Sequence, residues 1–424
     1  MVLPNDTPPT VLVAGVGLIS AIGNNVGECL RSLEAGRAGI GPIRHLETAH
    51  RGVFPVGEVL LDNAELARLA SELIWATGGV KPGERMFASV SRTALLSFIA
   101  AREALALAGL EPAMQKTTNR WRTGFVSANT VGGMDRTEGF YPAFLDDPQS
   151  GRLRDVVRHE CGACTEWVAE RLGIHSFVTT INTACSSSAN ALGLGVRLIR
   201  HGMFDVVVAG GTDALTAFTL NGFNSLMILD REPCIPFDEN RRGLNLGEGA
   251  GYVVLVSAAV AATLAHAPIC RLAGFANRND AWHQTASSPD GRGSFMAMQG
   301  ALQAAGLSPA EIDYINLHGT GTPNNDLAEG LAIKRLFEPH YPPMSSTKAF
   351  TGHTLGASGG IEAVFSALAV QRDLIYPNLR WRTPMKELPF EPARELIRNK
   401  PVHHVLSNSF GFGGNCSSLI FSKS

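Results

Sequence analysis

A cysteine at a predicted strand-to-helix turn and two histidines in glycine-rich loops are the residues of this chain best placed for covalent chemistry. Cys185 stands in Asn182-Thr183-Ala184-Cys185-Ser186-Ser187-Ser188-Ala189-Asn190-Ala191-Leu192, after the strand-like run Phe177 to Ile181 and ahead of a helical run to Arg200. Unpaired amides and the macrodipole at a helix N-terminus favour an anion, so this position predicts a more populated thiolate, the nucleophilic form. One amide at such a turn can also face a developing oxyanion. A free cysteine is by default a small, inert, buried residue, so Cys185 needs partners to have a role. Two segments supply them: Leu317-His318-Gly319-Thr320-Gly321-Thr322-Pro323, and Ser346-Thr347-Lys348-Ala349-Phe350-Thr351-Gly352-His353-Thr354-Leu355-Gly356-Ala357-Ser358-Gly359. Each histidine falls where a strand gives way to a glycine turn, and loops at strand ends are where α/β proteins collect reactive groups. Further clusters at Val131-Gly132-Gly133, Gly210-Gly211, Gly247-Glu248-Gly249 and Gly411-Phe412-Gly413-Gly414 predict turns that let backbone amides approach a ligand.

The elements that must hold these residues read as α/β. Strand-like runs at Thr10 to Val16, Arg122 to Ser127, Phe204 to Ala209 and Gly251 to Val256 have helical stretches between them. Ala88 to Ala108, rich in Ala and Leu with Arg and Glu among them and followed by Gly109, is the clearest helix. A strand pattern resumes at Ile269 to Phe275, so a boundary near Ala265 divides the chain into 1–265 and 266–424. The second part repeats the sense of the first, with a helix at Ser294 to Ala305, a strand at Tyr314 to Leu317 and a helix from Gly359 to Gln371. The chain has 424 residues, 45% of them hydrophobic, enough for a large core in two or three domain-sized units. Lys plus Arg number 36 against 38 for Asp plus Glu, which leaves no global basic field for nucleic acid. An acidic partner must be met by a local patch. The 7 irregularly spaced cysteines do not form a secreted disulfide framework and predict reduced thiols. Met1 to Thr10 lacks the basic and apolar regions of a signal peptide, and Val253 to Ala265 falls short of the ~18 residues of a membrane span. The expectation is a cytoplasmic protein with no membrane span.

With these residues in view, the sequence resembles the β-ketoacyl-acyl carrier protein synthases of the thiolase superfamily, most of all the type II enzymes of bacterial fatty acid synthesis. The resemblance covers nearly the whole chain. It runs from Val13-Ala14-Gly15-Val16-Gly17 through Thr183-Ala184-Cys185-Ser186-Ser187 and Phe237-Asp238-Glu239-Asn240-Arg241-Arg242-Gly243 to Asn408-Ser409-Phe410-Gly411-Phe412-Gly413-Gly414-Asn415. The order Cys, His, His, with Thr-Lys before the second His, is specific. Related initiating synthases carry Asn at the position of His353, and thiolases end the set with another Cys, so His353 implies a decarboxylating, elongating enzyme. The family fold implied is thiolase-like: two similar α/β halves in a layered α-β-α-β-α arrangement, the first with the cysteine and the second with both histidines. The resemblance implies that Cys185 takes the acyl group and that the amides of Cys185 and Phe412 form the oxyanion hole. It further implies that neutral His318 and His353 stabilise the enolate left by malonyl decarboxylation, and that Lys348, paired with Glu362, orders the site. Thr320, Thr322 and Thr285 would lie along the pantetheine arm, Val131 and Phe223 would line the acyl pocket, and Phe412 would gate it. No cofactor of its own is implied, since substrates arrive on the phosphopantetheine of acyl carrier protein. The expected assembly is a homodimer, or a heterodimer with a chain-length-factor-like homologue.

Other patterns read as structural. Gly15-Val16-Gly17-Leu18-Ile19-Ser20 begins like a dinucleotide-binding loop but has Ser at the third glycine position. Cys161-Gly162-Ala163-Cys164, near His159, has half-site spacing without a second Cys pair, so no metal is expected. His403-His404 reads as structural and Lys386 to Lys400 as a solvated face. The segments Ser186-Ser187-Ser188-Ala189-Asn190 and Ala217-Phe218-Thr219-Leu220-Asn221-Gly222-Phe223-Asn224-Ser225-Leu226 differ from housekeeping synthases and look similar to ketosynthases of aryl polyene clusters, the alternative being fatty acid elongation by a homodimer. Two rivals are a cysteine hydrolase, which would release acid with water, and a non-catalytic chain-length factor, against which the presence of Cys185 argues.

Overall fold

The computed structural model describes residues 9–76, 86–87, 89–110 and 121–424. Residues 1–8 of the stretch considered for a signal peptide, and Ala88 of the first predicted helix, lie outside the described residues. Ten strands form one sheet: β1 (Val11–Ser20), β2 (Thr123–Ala128), β3 (Phe177–Ile181), β4 (Val206–Asp213), β5 (Gly249–Ser257), β6 (Cys270–Asn279), β7 (Tyr314–Asn316), β8 (Met344–Ser345), β9 (His404–Gly411) and β10 (Asn415–Ser422). Their spatial order is β8-β7-β9-β10-β6-β1-β5-β4-β2-β3. Read outward from the centre, β1-β5-β4-β2-β3 and β6-β10-β9-β7-β8 are one topology used twice. In each set the first two neighbouring pairs are antiparallel and the last two parallel. The repeat that is faint in the sequence is therefore explicit in the strand order. Two residue pairs, Leu12 with Arg271 and Val13 with Cys270, join the sets.

The helices repeat as well. Helices α1 (Arg92–Leu107) and α3 (Arg292–Ala305) pack on outer faces, whereas α2 (Ser187–Arg200) and α4 (Ser358–Arg372) lie between the two sets of strands. Ala191, Leu192 and Val196 of α2 and Ile361, Val364 and Phe365 of α4 share one apolar core with Val207 and Leu255 of the first set and Leu419 and Phe421 of the second. Helix α4 is buried from Ser358 to Val370, which is why apolar residues occupy every face of it, with Glu362 as its one buried charge. The layers are thus α-β-α-β-α. Each central helix begins at the end of a strand-to-helix connection that carries site residues.

Small residues set the layer spacing. A Cβ on Gly17 would stand 1.9 Å from the Ala100 carbonyl oxygen of α1, and one on Gly15 would stand 2.3 Å from that of Ala104. Gly274 of β6 repeats this against Ala301 of α3, at 2.3 Å. The apparent dinucleotide motif is therefore strand interior facing a helix, not a turn. Gly210-Gly211, expected as a ligand-facing turn, likewise lies inside β4; a Cβ on Gly211 would meet Ser188 of α2 at 2.8 Å. The predicted helix from Ala88 begins instead at Arg92, because the Ser91 side chain accepts from the Ala94 amide and caps it. Gly17→Ala should lower stability by about 1–3 kcal/mol through overpacking, whereas Gly41→Ala, where a Cβ meets nothing within 4 Å, should not lower it. Chemical denaturation of the two variants checks the contrast.

Candidate active site

Cys185 occupies a strained turn between β3 and α2. Ala184 immediately before it has φ +53°, a left-handed value that costs a non-glycine residue about 1–3 kcal/mol. Ser187 holds the turn: its hydroxyl donates to the Ala184 carbonyl at 2.5 Å and accepts from the Thr183 amide at 2.8 Å. From the second half, Asn415 Oδ1 accepts from Ser186 Oγ at 2.8 Å and from Asn190 Nδ2 at 2.9 Å. The loop after β9 comes close enough that a Cβ on Gly411 would lie 2.9 Å from the Thr183 carbonyl oxygen. This close approach brings Phe412 to the sulfur.

The expected rise in thiolate does not follow from the structure. Burial pushes the Cys185 thiol up to about 12, against the pull of Lys348 and of the Phe412 and Cys185 amides. The loss of water outweighs the helix-end field. The proton has a nearby acceptor instead, because His353 Nε2 lies 3.1 Å from Cys185 Sγ.

Both histidines come from the second half. The His353 backbone is clamped, its amide donating to the Asn245 carbonyl at 2.7 Å and its carbonyl accepting from the Gly247 amide at 2.9 Å. Its Nδ1 faces Ser358 Oγ at 3.0 Å. The His318 ring stands 5.5 Å from that of His353, at 86°. Lys348 Nζ lies 3.2 Å from His318 Nδ1 and pairs with the Glu362 carboxylate, all three side chains being buried. An ammonium only donates, so His318 Nδ1 accepts and the ring proton sits on Nε2. Burial, then the Lys348 charge, holds both imidazoles well below the usual histidine range, and His353 adds to the effect on His318. Two neutral rings therefore stand beside one thiol at neutral pH.

Two cavities meet at Cys185. One of about 320 Å³ is lined by His318, His353, Thr320, Thr322 and Thr285, and the other, of about 430 Å³, by Thr130, Val131, Phe218, Leu226 and Leu355. Cys185, Phe223 and Phe412 line both. The Phe223 and Phe412 rings stack at 5.8 Å and 18° where the cavities adjoin. All the sequence-predicted site residues thus gather in one place: Glu362 behind Lys348, the threonines on one side, Val131 on the other.

Several supporting residues escaped the sequence reading. Glu329, buried in the helix Pro323–Phe337, accepts from the amides of His318 at 2.9 Å and Gly319 at 2.8 Å and from Asn408 Nδ2 at 3.0 Å. Asp326, one turn earlier, accepts from the Gly321 amide at 3.2 Å. Two carboxylates three residues apart, just after a glycine loop, were the available signal. Ser358 and Asp213 had none. His404 Nδ1 meets Ser422 Oγ at 2.8 Å across β9 and β10, away from the site. Cys164 is buried against Ser91 Oγ at 3.2 Å, and among the described residues no three His, Cys, Asp or Glu side chains cluster as metal ligands. No helix among them is long and apolar enough to cross a membrane.

Comparison with known proteins gives the family. Residues 9–261 match the β-ketoacyl synthase N-terminal domain and residues 269–382 the β-ketoacyl synthase C-terminal domain. The chain is 32% identical over 422 residues to a 3-oxoacyl-[acyl-carrier-protein] synthase 2 of Staphylococcus aureus (strain COL), covering 97% of this chain and 98% of the relative. It is 32% identical over 415 residues to nodulation protein E of Rhizobium sp. (strain N33), covering 97% and 98%. Among solved structures, the ishigamide ketosynthase/chain length factor superposes with a TM-score of 0.88 at 28% identity, over 99% of this chain and 100% of that one. The ketosynthase ApeO, in complex with its chain length factor ApeC from Xenorhabdus doucetiae, gives 0.82 at 31% identity, over 98% of each. With a thiolase-like fold and a Cys-His-His centre at the meeting of two cavities, the chain belongs to the β-ketoacyl synthase family.

Proposed function

We propose that this chain catalyses decarboxylative Claisen condensation between an acyl group held on Cys185 and a malonyl group on acyl carrier protein. The observation that carries the reading is the convergence of one thiol, two neutral imidazoles and the Lys348–Glu362 pair where the cavities meet. In the first half-reaction Cys185 passes its proton to His353 Nε2, and its sulfur attacks the thioester carbonyl of an acyl carrier. The amides of Cys185 and Phe412 hold the oxyanion, and the pantetheine thiol leaves with the proton. The acyl chain then lies in the Val131 side and the carrier departs. In the second half-reaction the malonyl C–C bond breaks, carbon dioxide leaves, and the electron pair passes to the thioester oxygen. The Nε2–H of His318 holds that enolate oxygen, and His353 joins it in the tautomer that carries its ring proton on Nε2, Nδ1 then accepting from Ser358 Oγ. The enolate carbon attacks the acyl-enzyme, and the expelled Cys185 sulfur takes up one proton from solvent. The threonine side suits an amide-rich pantetheine arm, since hydroxyls can both donate and accept.

For pathway, this reading favours polyene-type chain extension beside a chain-length-factor-like partner, supported by the likeness to ApeO and to the ishigamide ketosynthase. The edge strand β3 is half-buried along its whole length and has one unpaired side among the described residues. Helix Met134–Asp146 exposes Tyr141, Phe144 and Leu145. Both features suit a second chain. The 32% identity to the Staphylococcus synthase supports a second reading, fatty acid elongation by a homodimer. Native mass spectrometry of the protein purified from its own cells separates the two, by a partner of different mass or of equal mass.

Cys185→Ala should abolish condensation, by on the order of 10³ or more, and full activity in that variant would exclude the mechanism. His353→Ala should leave acylation of Cys185 slow but measurable by intact mass while condensation falls by about 10² or more; equal loss of both steps would contradict the assigned roles. Since both imidazoles titrate well below the usual range, the condensation rate should show no acid limb at the ordinary imidazole pKa of about 6.5. A limb there in a pH–rate profile would mean that a charged histidine forms where a neutral one is required.

A further inference from the structure

Asp213 ends β4 and is fully buried, yet it has no part in the steps above. Its carboxylate accepts four hydrogen bonds. Oδ1 takes the amides of Thr130 at 2.8 Å and Val131 at 3.1 Å, and Oδ2 takes Thr130 Oγ1 at 2.7 Å and the Gly356 amide at 2.7 Å. Thr130 and Val131 wall the larger cavity, as does Leu355 beside Gly356. Gly356 in turn sits between His353 and its partner Ser358. The fit is tight: a Cβ on Gly356 would lie 2.8 Å from Asp213 Oδ2 and 3.0 Å from Thr130 Cγ2. One carboxylate therefore fastens the wall of the acyl cavity to the loop that aims the His353 ring.

We infer that Asp213 is a positioning residue that registers the acyl-cavity wall against the His353 loop, so that the length of the chain on Cys185 is felt at the condensation step. The inference rests on the synthase reading above. A chain long enough to press on Thr130, Val131 and Leu355 works against a wall held by this carboxylate, whereas a short chain does not reach it. Asparagine has the same shape but offers one NH2 group. That group must face either the Gly356 amide or the amides of Thr130 and Val131, donor against donor, so one segment is released.

The test uses the full chain with butyryl-CoA and dodecanoyl-CoA as acyl donors. Acylation of Cys185 is followed by intact mass, and condensation of each pre-formed acyl-enzyme with malonyl-acyl carrier protein is then timed. D213N should acylate with both donors, while its dodecanoyl-to-butyryl ratio of condensation rates falls by about tenfold or more relative to wild type. T130V, which removes only the hydroxyl donor, should shift the ratio the same way by less. A ratio within about twofold of wild type in D213N, or a parallel fall of all rates with loss of thermal stability, overturns the inference. Should D213N fail to fold, an unchanged ratio in T130V overturns it. A wild-type chain that takes up neither acyl group overturns the synthase reading itself, and this inference with it.

Discussion

Lys348 and Glu362 are opposite charges buried together in the second half, and each is tolerable there only because the other is present. Burial pushes the Glu362 carboxyl up while Lys348 pulls it down, so the pair is held against a strong tendency to neutralise. Its consequence reaches past the two residues. The ammonium fixes which nitrogen of His318 carries the proton, adds to the burial that keeps both imidazoles neutral, and is the largest influence pulling the Cys185 thiol down. The proposed chemistry, in which uncharged N–H groups receive a developing negative oxygen, depends on that charge arrangement being in place before substrate arrives.

The doubled topology explains how so few residues come together from positions 168 apart, as Cys185 and His353 are. Helices α2 and α4 occupy equivalent places in the two repeats and pack against each other in the middle layer. The turn before α2 holds the thiol, and the turn before α4 holds His353, whose partner Ser358 is the helix's first residue. A repeat with its central helices face to face places two equivalent strand-to-helix turns side by side. In the proposed mechanism one is the nucleophile's seat and the other the base's.

What was legible in the sequence was whatever a short segment fixes by itself. The turn around Cys185, both histidine loops and the Phe412 loop are local patterns, and all of them meet at the site. The strands and helices that were read lie close to their observed places, with ends displaced by a few residues where a cap such as Ser91 decides, but β9, β10 and the helix Pro323–Phe337 were not read. What was hidden depends on distant partners. Asp213 meets residues 82, 83 and 143 positions away, and no local pattern announces that. Gly210 and Gly211 were misread as a turn for the same reason, since the backbone and side chains that come close to them belong to other elements. The Cys185 thiol was expected to ionise because a helix end is visible in sequence and burial is not.

Phe412 contributes its ring to the partition between the two cavities and, in the proposed mechanism, its amide to the oxyanion hole. The backbone on one side of it is pinned by the close approach of Gly411 to Thr183, and on the other side Gly413 and Gly414 adopt left-handed conformations, with φ of +77° and +75°. A backbone swing that carried the ring aside to admit a chain would also carry the amide away from the sulfur. Admission and bond-making would then exclude each other in time: an open doorway would be an idle catalyst, and the half-loaded acyl-enzyme could not be attacked before its chain was seated.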